Sequence, residues 1–410
     1  MQNTPTFTSS FVGKCTFETG LTHCKSKEKQ KWVDHHENEI KLLSLKAINQ
    51  GETYDSSIVK PIRKELLGFA VTRDIQKSLV YTAKNIPIID DNSDPFGNEL
   101  SALIRKVTKS ANLQRQNTGN LSGASQDPVV NQAFDITETT RKFYKDVHSV
   151  DLNQLLGGTR PLALRSIVHY GGVGSSNTGF DNAFWWPKDA VMVYGDGRGF
   201  NPLVSEPSVG VHEISHMFTQ QAAGTALSNE PTGLDYTGDA GGLNEANSDQ
   251  GAVAALQWHN KQNDPTDDKL FRIGTGLFRN DKPEFALRDM ANPGQGYKGA
   301  KFFGDDPQEG YEIYTNWSAD SKSTDPHLSS AVGNKWYRNA ALYLYQKNFG
   351  STWETIEKVR VATLPTCKPN ITYPEYAAET IKVAKKMHPE SDYFWQAIAA
   401  AWKDVQVTIK

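Results

Sequence analysis

The chain has 410 residues, enough to bury a substantial core and to divide into two or three structural parts. A formal net charge of −3 and a pI near 6.4 argue against a broad nucleic-acid-binding surface. No apolar run approaches the length of a membrane span. The start, Met1-Gln2-Asn3-Thr4-Pro5-Thr6-Phe7, shows no basic stretch followed by an apolar core, so no signal peptide is visible.

Residues 1–60 are polar and lysine-rich with weak periodicity and read as an N-terminal extension. Within them Cys15 and Cys24 lie close enough to close a small disulfide loop, as suits an oxidising compartment. Either thiol could instead cap a zinc ion. Cys367 is left over. His23, His35 and His36 fit no zinc-finger spacing and read as part of a solvated surface.

Leu66-Leu67-Gly68-Phe69-Ala70-Val71 and Leu79-Val80-Tyr81-Thr82 have strand composition, and residues 90–95 form a turn-rich loop. Residues 112–127, rich in Asn, Gln, Ser and Gly, read as a linker. Ala133, Ile136, Thr140, Phe143 and Val147 then recur at steps of three and four, one buried face of a helix. Ser166-Ile167-Val168-His169-Tyr170 alternates like a half-buried strand. A further helix is punctuated by Ser205 or Glu206 near its start, Pro207 in its first turn and Gly224 past its end. Residues 332–347 and 389–405 read as later helices. Strands first and helices second make an α+β layout. The expected parts are the extension at 1–60, a β-rich lobe at 61–224 ending in the punctuated helix, and a helical lobe at 225–410.

That helix carries Val211-His212-Glu213-Ile214-Ser215-His216. Side chains at i and i+4 share a helix face, so His212 and His216 can reach one zinc ion while Glu213 sits beside a metal-bound water as its base. Downstream, Gly242-Leu243-Asn244-Glu245-Ala246-Asn247-Ser248-Asp249 repeats the spacing with two carboxylates. Glu245 would complete three protein ligands, leaving a fourth position open as catalytic zinc requires. Asp249 would accept the second N–H of a ligand histidine. Two surface histidines on a solvated helix would share the first motif, but not the second.

With both segments in place the chain resembles the thermolysin family of zinc metalloendopeptidases. The likeness extends, in family order, over about two-thirds of the chain. Asn182-Ala183-Phe184-Trp185 looks like the family's substrate-binding edge strand, and Met192-Val193-Tyr194-Gly195-Asp196-Gly197 like the strand and turn that follow. Phe200-Asn201-Pro202-Leu203 precedes the zinc helix. Leu287-Arg288-Asp289-Met290 resembles the arginine-bearing loop, and Asp325-Pro326-His327-Leu328-Ser329-Ser330 the segment with a second catalytic histidine.

The resemblance implies two lobes with a cleft between them and hydrolysis of peptide bonds by a zinc-activated water. Glu213 is then the proton carrier. His327 is the oxyanion donor, with Asp325 holding its ring and complementing positive charge on it. Asn182 and Ala183 would hydrogen-bond an extended substrate, and Arg288 would bind a substrate carbonyl unless it serves only as a structural ion pair. Phe200, Leu203, Val209 and Leu287 would line the pocket for the residue after the scissile bond, favouring a large apolar side chain. One zinc per chain, protein or peptide substrates, a monomer and secretion to the extracellular space or periplasm complete the expectation.

The chain departs from the family in three places. The spacing from His216 to Glu245 is longer than usual, with the excess at 226–239, which should overhang the cleft; Tyr236 is the one candidate there for the family's active-site tyrosine. Ser208 and Leu256 stand where the family holds carboxylates for paired calcium ions, so calcium is doubtful, although Asp264, Asp267 and Asp268 could supply ligands. The region before about residue 110 matches little. Two other readings stay open: a zinc aminopeptidase, although its Gly-x-Met-Glu-Asn stretch is absent, and an inactive binding or adhesion protein, although Glu213 and His327 are both present.

Overall fold

The computed structural model describes residues 77–84, 98–158, 160–171, 179–197, 199–228, 230–279, 285–296, 317 and 325–409. The chain divides into two compact units, Met1–Ile75 and Gln76–Lys410, and the described residues all belong to the second. The extension at 1–60 with Cys15 and Cys24, the strand-like stretch at 66–71 and the loop at 90–95 lie outside the described residues.

Among the described residues one mixed sheet holds β1 (Ser78–Thr82), β2 (Leu113–Gln116), β3 (Leu164–Tyr170), β4 (Ala183–Trp186) and β5 (Val191–Gly195), in the order β2-β1-β3-β5-β4. The three central strands run parallel, and β2 and β4 pair antiparallel at the two edges. Period-two alternation sorts the side chains into two cores. Leu79, Tyr81, Ile167, Val191 and Val193 face one side, where Leu103, Ile104 and Val107 of α1 (Asn98–Val107) cover them. Val80, Val168, Met192 and Tyr194 face the other and join the larger core.

That larger core is helical. α2 (Pro128–His148) lies against the sheet, capped by Asp127, whose side chain accepts from the Val129 amide. After α3 (Leu152–Gly157) come α4 (Pro207–Ala222) and α5 (Gly238–His259), then α6 (Pro326–Gln346), α7 (Ile356–Thr363), α8 (Tyr373–Met387) and α9 (Asp392–Asp404). A two-stranded ribbon, β6 (Arg272–Ile273) with β7 (Arg288–Asp289), sits between the two groups of helices in sequence. The β-containing first part and helical second part form the α+β arrangement that the sequence implies.

Helix α5 is buried almost all round, with Ala, Gly and Ser at most contact positions. A Cβ on Gly251 would come within 2.6 Å of Ser215 Oγ, so glycine there allows α4 and α5 to approach closely.

Two expectations need correction. Residues 112–127 are not only a linker: Leu113–Gln116 forms β2 and pairs with β1. Its sequence Leu-Gln-Arg-Gln conceals this because it is a half-buried edge strand whose Arg115 folds over the Phe134 ring at 4.1 Å. The helix expected from residue 332 begins six residues earlier at Pro326, because Asp325 caps it and proline at the first position suits a helix start.

Candidate active site

Helices α4 and α5 cross with their polar residues converging. Pro207 starts α4, and the Glu206 side chain caps it by accepting from the Ser208 amide. Two turns on, His212 and His216 share a face and their Nε2 atoms stand 2.9 Å apart. From α5, Glu245 sets one oxygen 3.4 Å from His212 Nε2 and the other 3.3 Å from His216 Nε2. One ligand atom from each of the three residues lies within 4.8 Å of the others, near enough to share one metal ion. Glu245 is fully buried and its Oε2 has no hydrogen-bond partner. A buried carboxylate oxygen left so is costly unless a cation uses it. The donor set fits zinc, and these three residues are the potential metal-holding group among the described residues.

The outer N–H of each histidine is also held. His212 Nδ1 meets Asp249 Oδ1 at 2.8 Å, and His216 Nδ1 meets Asn244 Oδ1 at 2.8 Å. Asp249 is buried, which opposes its charge, but Arg288 and His212 beside it hold its carboxyl well below the usual range. Burial likewise opposes charge on His212, yet Asp249 and Glu245 beside it lift its pKa to about 10. A ligand imidazole is neutral when it binds metal.

Glu213 is 5% exposed, and the backbone of Trp185 at the sheet edge bonds to it. Burial raises its pKa, only partly offset by His212 and His216. The strand it touches, β4, lies at the sheet edge, where Ala183 begins the strand and Asn182 precedes it with its side-chain oxygen accepting from the Ala183 amide at 2.9 Å. Trp185 Nε1 donates to Gln220 of α4 at 2.7 Å, fixing the edge to the zinc helix.

On the opposite wall, Asp325 accepts from the His327 amide at 2.9 Å and from Nδ1 of its ring at 2.7 Å. His327 Nε2 then faces Tyr236 Oη at 3.4 Å and Glu245 Oε1 at 3.5 Å. The Tyr236 hydroxyl itself donates to Glu245 Oε1. The longer loop therefore brings Tyr236 into the cluster. Its last two residues, Gly238 and Asp239, are helical and already belong to α5.

Arg288, on β7, grips Asp249 with Nε and Nη2, each at 2.6 Å, and lines a small cavity with Leu287, Pro293, His327, Ala331 and Asn334. Phe200, Leu203 and Val209 are 3–6% exposed and belong to the large core, with Leu287 packed against it. That cavity's lining includes Leu287 but not the other three.

Two residues escaped the sequence reading. Asn244 orients His216, and Asn334 donates to Asp249 Oδ2 at 2.7 Å. Both were findable in principle: Asn244 adjoins Glu245, and Asn334 follows His327 by two turns on the same helix face.

The acidic residues Asp264, Asp267 and Asp268 do not converge. Asp264 and Asp267 accept from nearby amides, and Asp268 pairs with Arg338. Ser208 Oγ bonds to Glu206 at 2.8 Å and accepts from the Gly274 amide at 2.9 Å. Cys367 is a buried free thiol.

Residues 72–220 match the thermolysin metallopeptidase catalytic domain, and residues 232–407 match the thermolysin metallopeptidase alpha-helical domain. The extracellular metalloprotease of Pectobacterium carotovorum subsp. carotovorum is 29% identical over 310 residues, covering 73% of this chain and 80% of that protein. Protease PrtS of Photorhabdus sp. (strain Az29) is 26% identical over 287 residues, covering 69% and 70%. Among solved structures, the precursor of protealysin, a metalloproteinase from Serratia proteamaculans, superposes with a TM-score of 0.59 at 25% identity, covering 85% of this chain and 94% of that one.

Proposed function

The chain belongs to the thermolysin metallopeptidase family as a zinc-dependent endopeptidase, and on that premise we propose how its residues divide the work. His212, His216 and Glu245 hold the zinc. Bound there, zinc supplies Lewis acidity, polarising the scissile carbonyl and acidifying a water. Glu213 is the base, its carboxyl pKa raised above the ordinary value by burial. It takes the proton from the attacking water and passes it to the leaving amine. His327 and Tyr236 donate to the oxyanion. Tyr236 stays a phenol because burial and the charge of Glu245 push its pKa upward. Asp325 holds the His327 ring through Nδ1.

An extended substrate adds to the β4 edge beside Asn182 and Ala183. Arg288 keeps Asp249 in place and borders the cavity that receives the chain beyond the scissile bond. Leu287 lines that cavity and packs against the core that holds Phe200, Leu203 and Val209, so a large apolar residue is favoured. Burying a Leu or Phe contributes about 1.5–3 kcal/mol, while an unpaired charge costs more than that. Action outside the cytoplasm agrees with the name of the Pectobacterium relative.

The observation that carries the assignment of roles is the cluster of His212, His216 and Glu245 together with Glu213, to which the backbone of Trp185 at the sheet edge bonds. Digestion of an end-blocked peptide library, read by mass spectrometry with and without a zinc chelator, tests it. Cleavage before Leu, Phe and similar residues, abolished by the chelator, is expected. Cleavage after basic residues, or only at free N-termini, would overturn it.

A further inference from the structure

Tyr236 is carried by the connection between α4 and α5, residues 223–237, and that connection does not stand alone. It first closes on itself: the Thr232 amide donates to Ala223 O at 3.0 Å. Gly224 makes the closure possible. Its φ is +78°, and a Cβ there would fall 2.0 Å from Thr232 Oγ1. Only glycine fits both the conformation and the space.

The closed loop is then sewn to residues 364–369. The Gly224 amide donates to Leu364 O at 3.2 Å, the Ala226 amide to Pro365 O at 2.9 Å, and the Asp235 amide to Pro369 O at 2.8 Å. The last of these adjoins Tyr236. Two of the three accepting carbonyls belong to prolines, whose fixed φ limits local backbone freedom. A further tie reaches the histidines: Asn244 Nδ2 donates to Leu234 O at 3.3 Å, while its Oδ1 faces His216 Nδ1.

The accepting segment is itself firmly founded. Leu364 and Cys367 are fully buried, and α7, which precedes them, inserts a buried ion pair into the helical core. Arg360 Nη2 reaches Glu357 Oε1 at 2.6 Å and Tyr144 of α2 at 3.2 Å, and Arg360 Nη1 reaches the Asn247 carbonyl of α5 at 3.3 Å. Tyr337 of α6 donates to Glu357 Oε2 at 2.9 Å.

We propose that residues 364–369 are a positioning brace for Tyr236, setting its hydroxyl against Glu245 and His327 through three main-chain bonds to the loop. This rests on the role assigned to Tyr236 above. Gly224 and Ala226 are positioning residues, since neither touches the reacting groups. The brace makes the longer loop productive: unanchored, it would carry the tyrosine on a free span.

A double-mutant cycle tests the brace. Tyr236→Phe should keep zinc and lower kcat by roughly 10²–10³, as loss of one oxyanion donor does. Gly224→Ala should lower kcat at least about tenfold, with KM within twofold and zinc content unchanged. In the Tyr236→Phe background the same glycine change should cost less than about twofold further. Equal losses in both backgrounds, or loss of zinc, would overturn the brace. Ala226→Pro, which deletes one donor, gives a second cycle if Gly224→Ala does not fold. Hydrogen exchange on the zinc-loaded wild-type protein needs no variant. The amides of Gly224, Ala226 and Asp235 should exchange as slowly as those inside α4, and exchange at the rate of free loop amides would refute the brace. An unchanged kcat for Tyr236→Phe would refute the role of Tyr236 instead, while the exchange data still judge the brace.

Discussion

Asn334 donates its side-chain amide to Asp249 Oδ2 at 2.7 Å, across the interface of α6 and α5. Asp249 thereby accepts from four donors: His212 Nδ1, Arg288 Nε and Nη2, and Asn334 Nδ2. A carboxylate so saturated cannot rotate without breaking two bonds, and it passes that rigidity to the His212 ring. Replacing Asn334 with Leu keeps the volume and removes one donor. Zinc affinity should fall roughly tenfold, as is usual when a partner behind a metal ligand is lost. Competition with a calibrated chelator measures it, and an unchanged affinity would mean that Arg288 alone fixes Asp249.

Replacing Glu213 with Gln deletes the base without touching a ligand. Zinc content should stay at one per chain while kcat falls by about 10²–10⁴. Metal analysis alongside kinetics separates the two readings, because zinc lost together with activity would make Glu213 a structural residue.

Stability should depend little on calcium. Ser208 Oγ ties Glu206 to the Gly274 amide, and Glu206 Oε2 accepts from the Gly276 amide at 3.2 Å, so protein groups already join the start of α4 to the chain after β6. Calcium needs six to eight oxygen ligands, and Asp267 and Asp268 face separate partners. Thermal melts with excess calcium and with a calcium-selective chelator should coincide within about 2 °C, a shift that corresponds to about 1–2 kcal/mol for a chain of this size. A large upward shift with calcium would sink the idea.

His169 should stabilise the fold in a pH-dependent way. It sits at the bulge of β3 with φ +59°, its ring 7% exposed and clamped between Asp196 on Nδ1 at 2.8 Å and Asp127 on Nε2 at 2.9 Å. Lys84 also faces Asp127 at 2.8 Å. Burial and Lys84 oppose charge on the ring, but the two carboxylates win and raise its pKa above 6.5. A raised folded pKa means that the native state binds the proton more tightly. The contribution is therefore complete below the unfolded value of about 6.5 and is lost as pH rises through the higher folded value. His169→Gln should lower Tm more near pH 5.5 than near pH 8.5. An equal loss at both would show that the ring acts only through packing.

Much of this architecture is legible in the residues themselves. The helix from Pro207 to Ala222 announces its start by a capping carboxylate and a proline, and its end by Gly224. The paired spacings His212–His216 and Glu245–Asp249 carry the site because a helix converts a step of four into a shared face. Strand β2 is not legible, since an edge strand half open to water needs no apolar alternation. Helix α7 is not legible either: its buried face includes Glu357 and Arg360, which read as surface residues until their partners Tyr337, Tyr144 and Asn247 arrive from distant helices. The reach of Tyr236 depends likewise on main-chain carbonyls more than a hundred residues away, and these leave no mark in local composition.

A strand left open for one chain is open to any chain. Among the described residues no strand pairs with the outer row of β4, although the Ala183 amide bonds to Asn182 and the Trp185 backbone to Glu213; beside Phe184, Trp185 and Trp186 it is a surface on which extended segments of other molecules could stack and aggregate. Brevity is the protection: β4 has four residues and runs straight into Pro187, which has no amide hydrogen to offer. The edge is long enough to seat a few residues of an incoming peptide and too short to template a fibre. Lengthening β4 by replacing Pro187 would therefore put the protein's solubility at risk before it altered its fold.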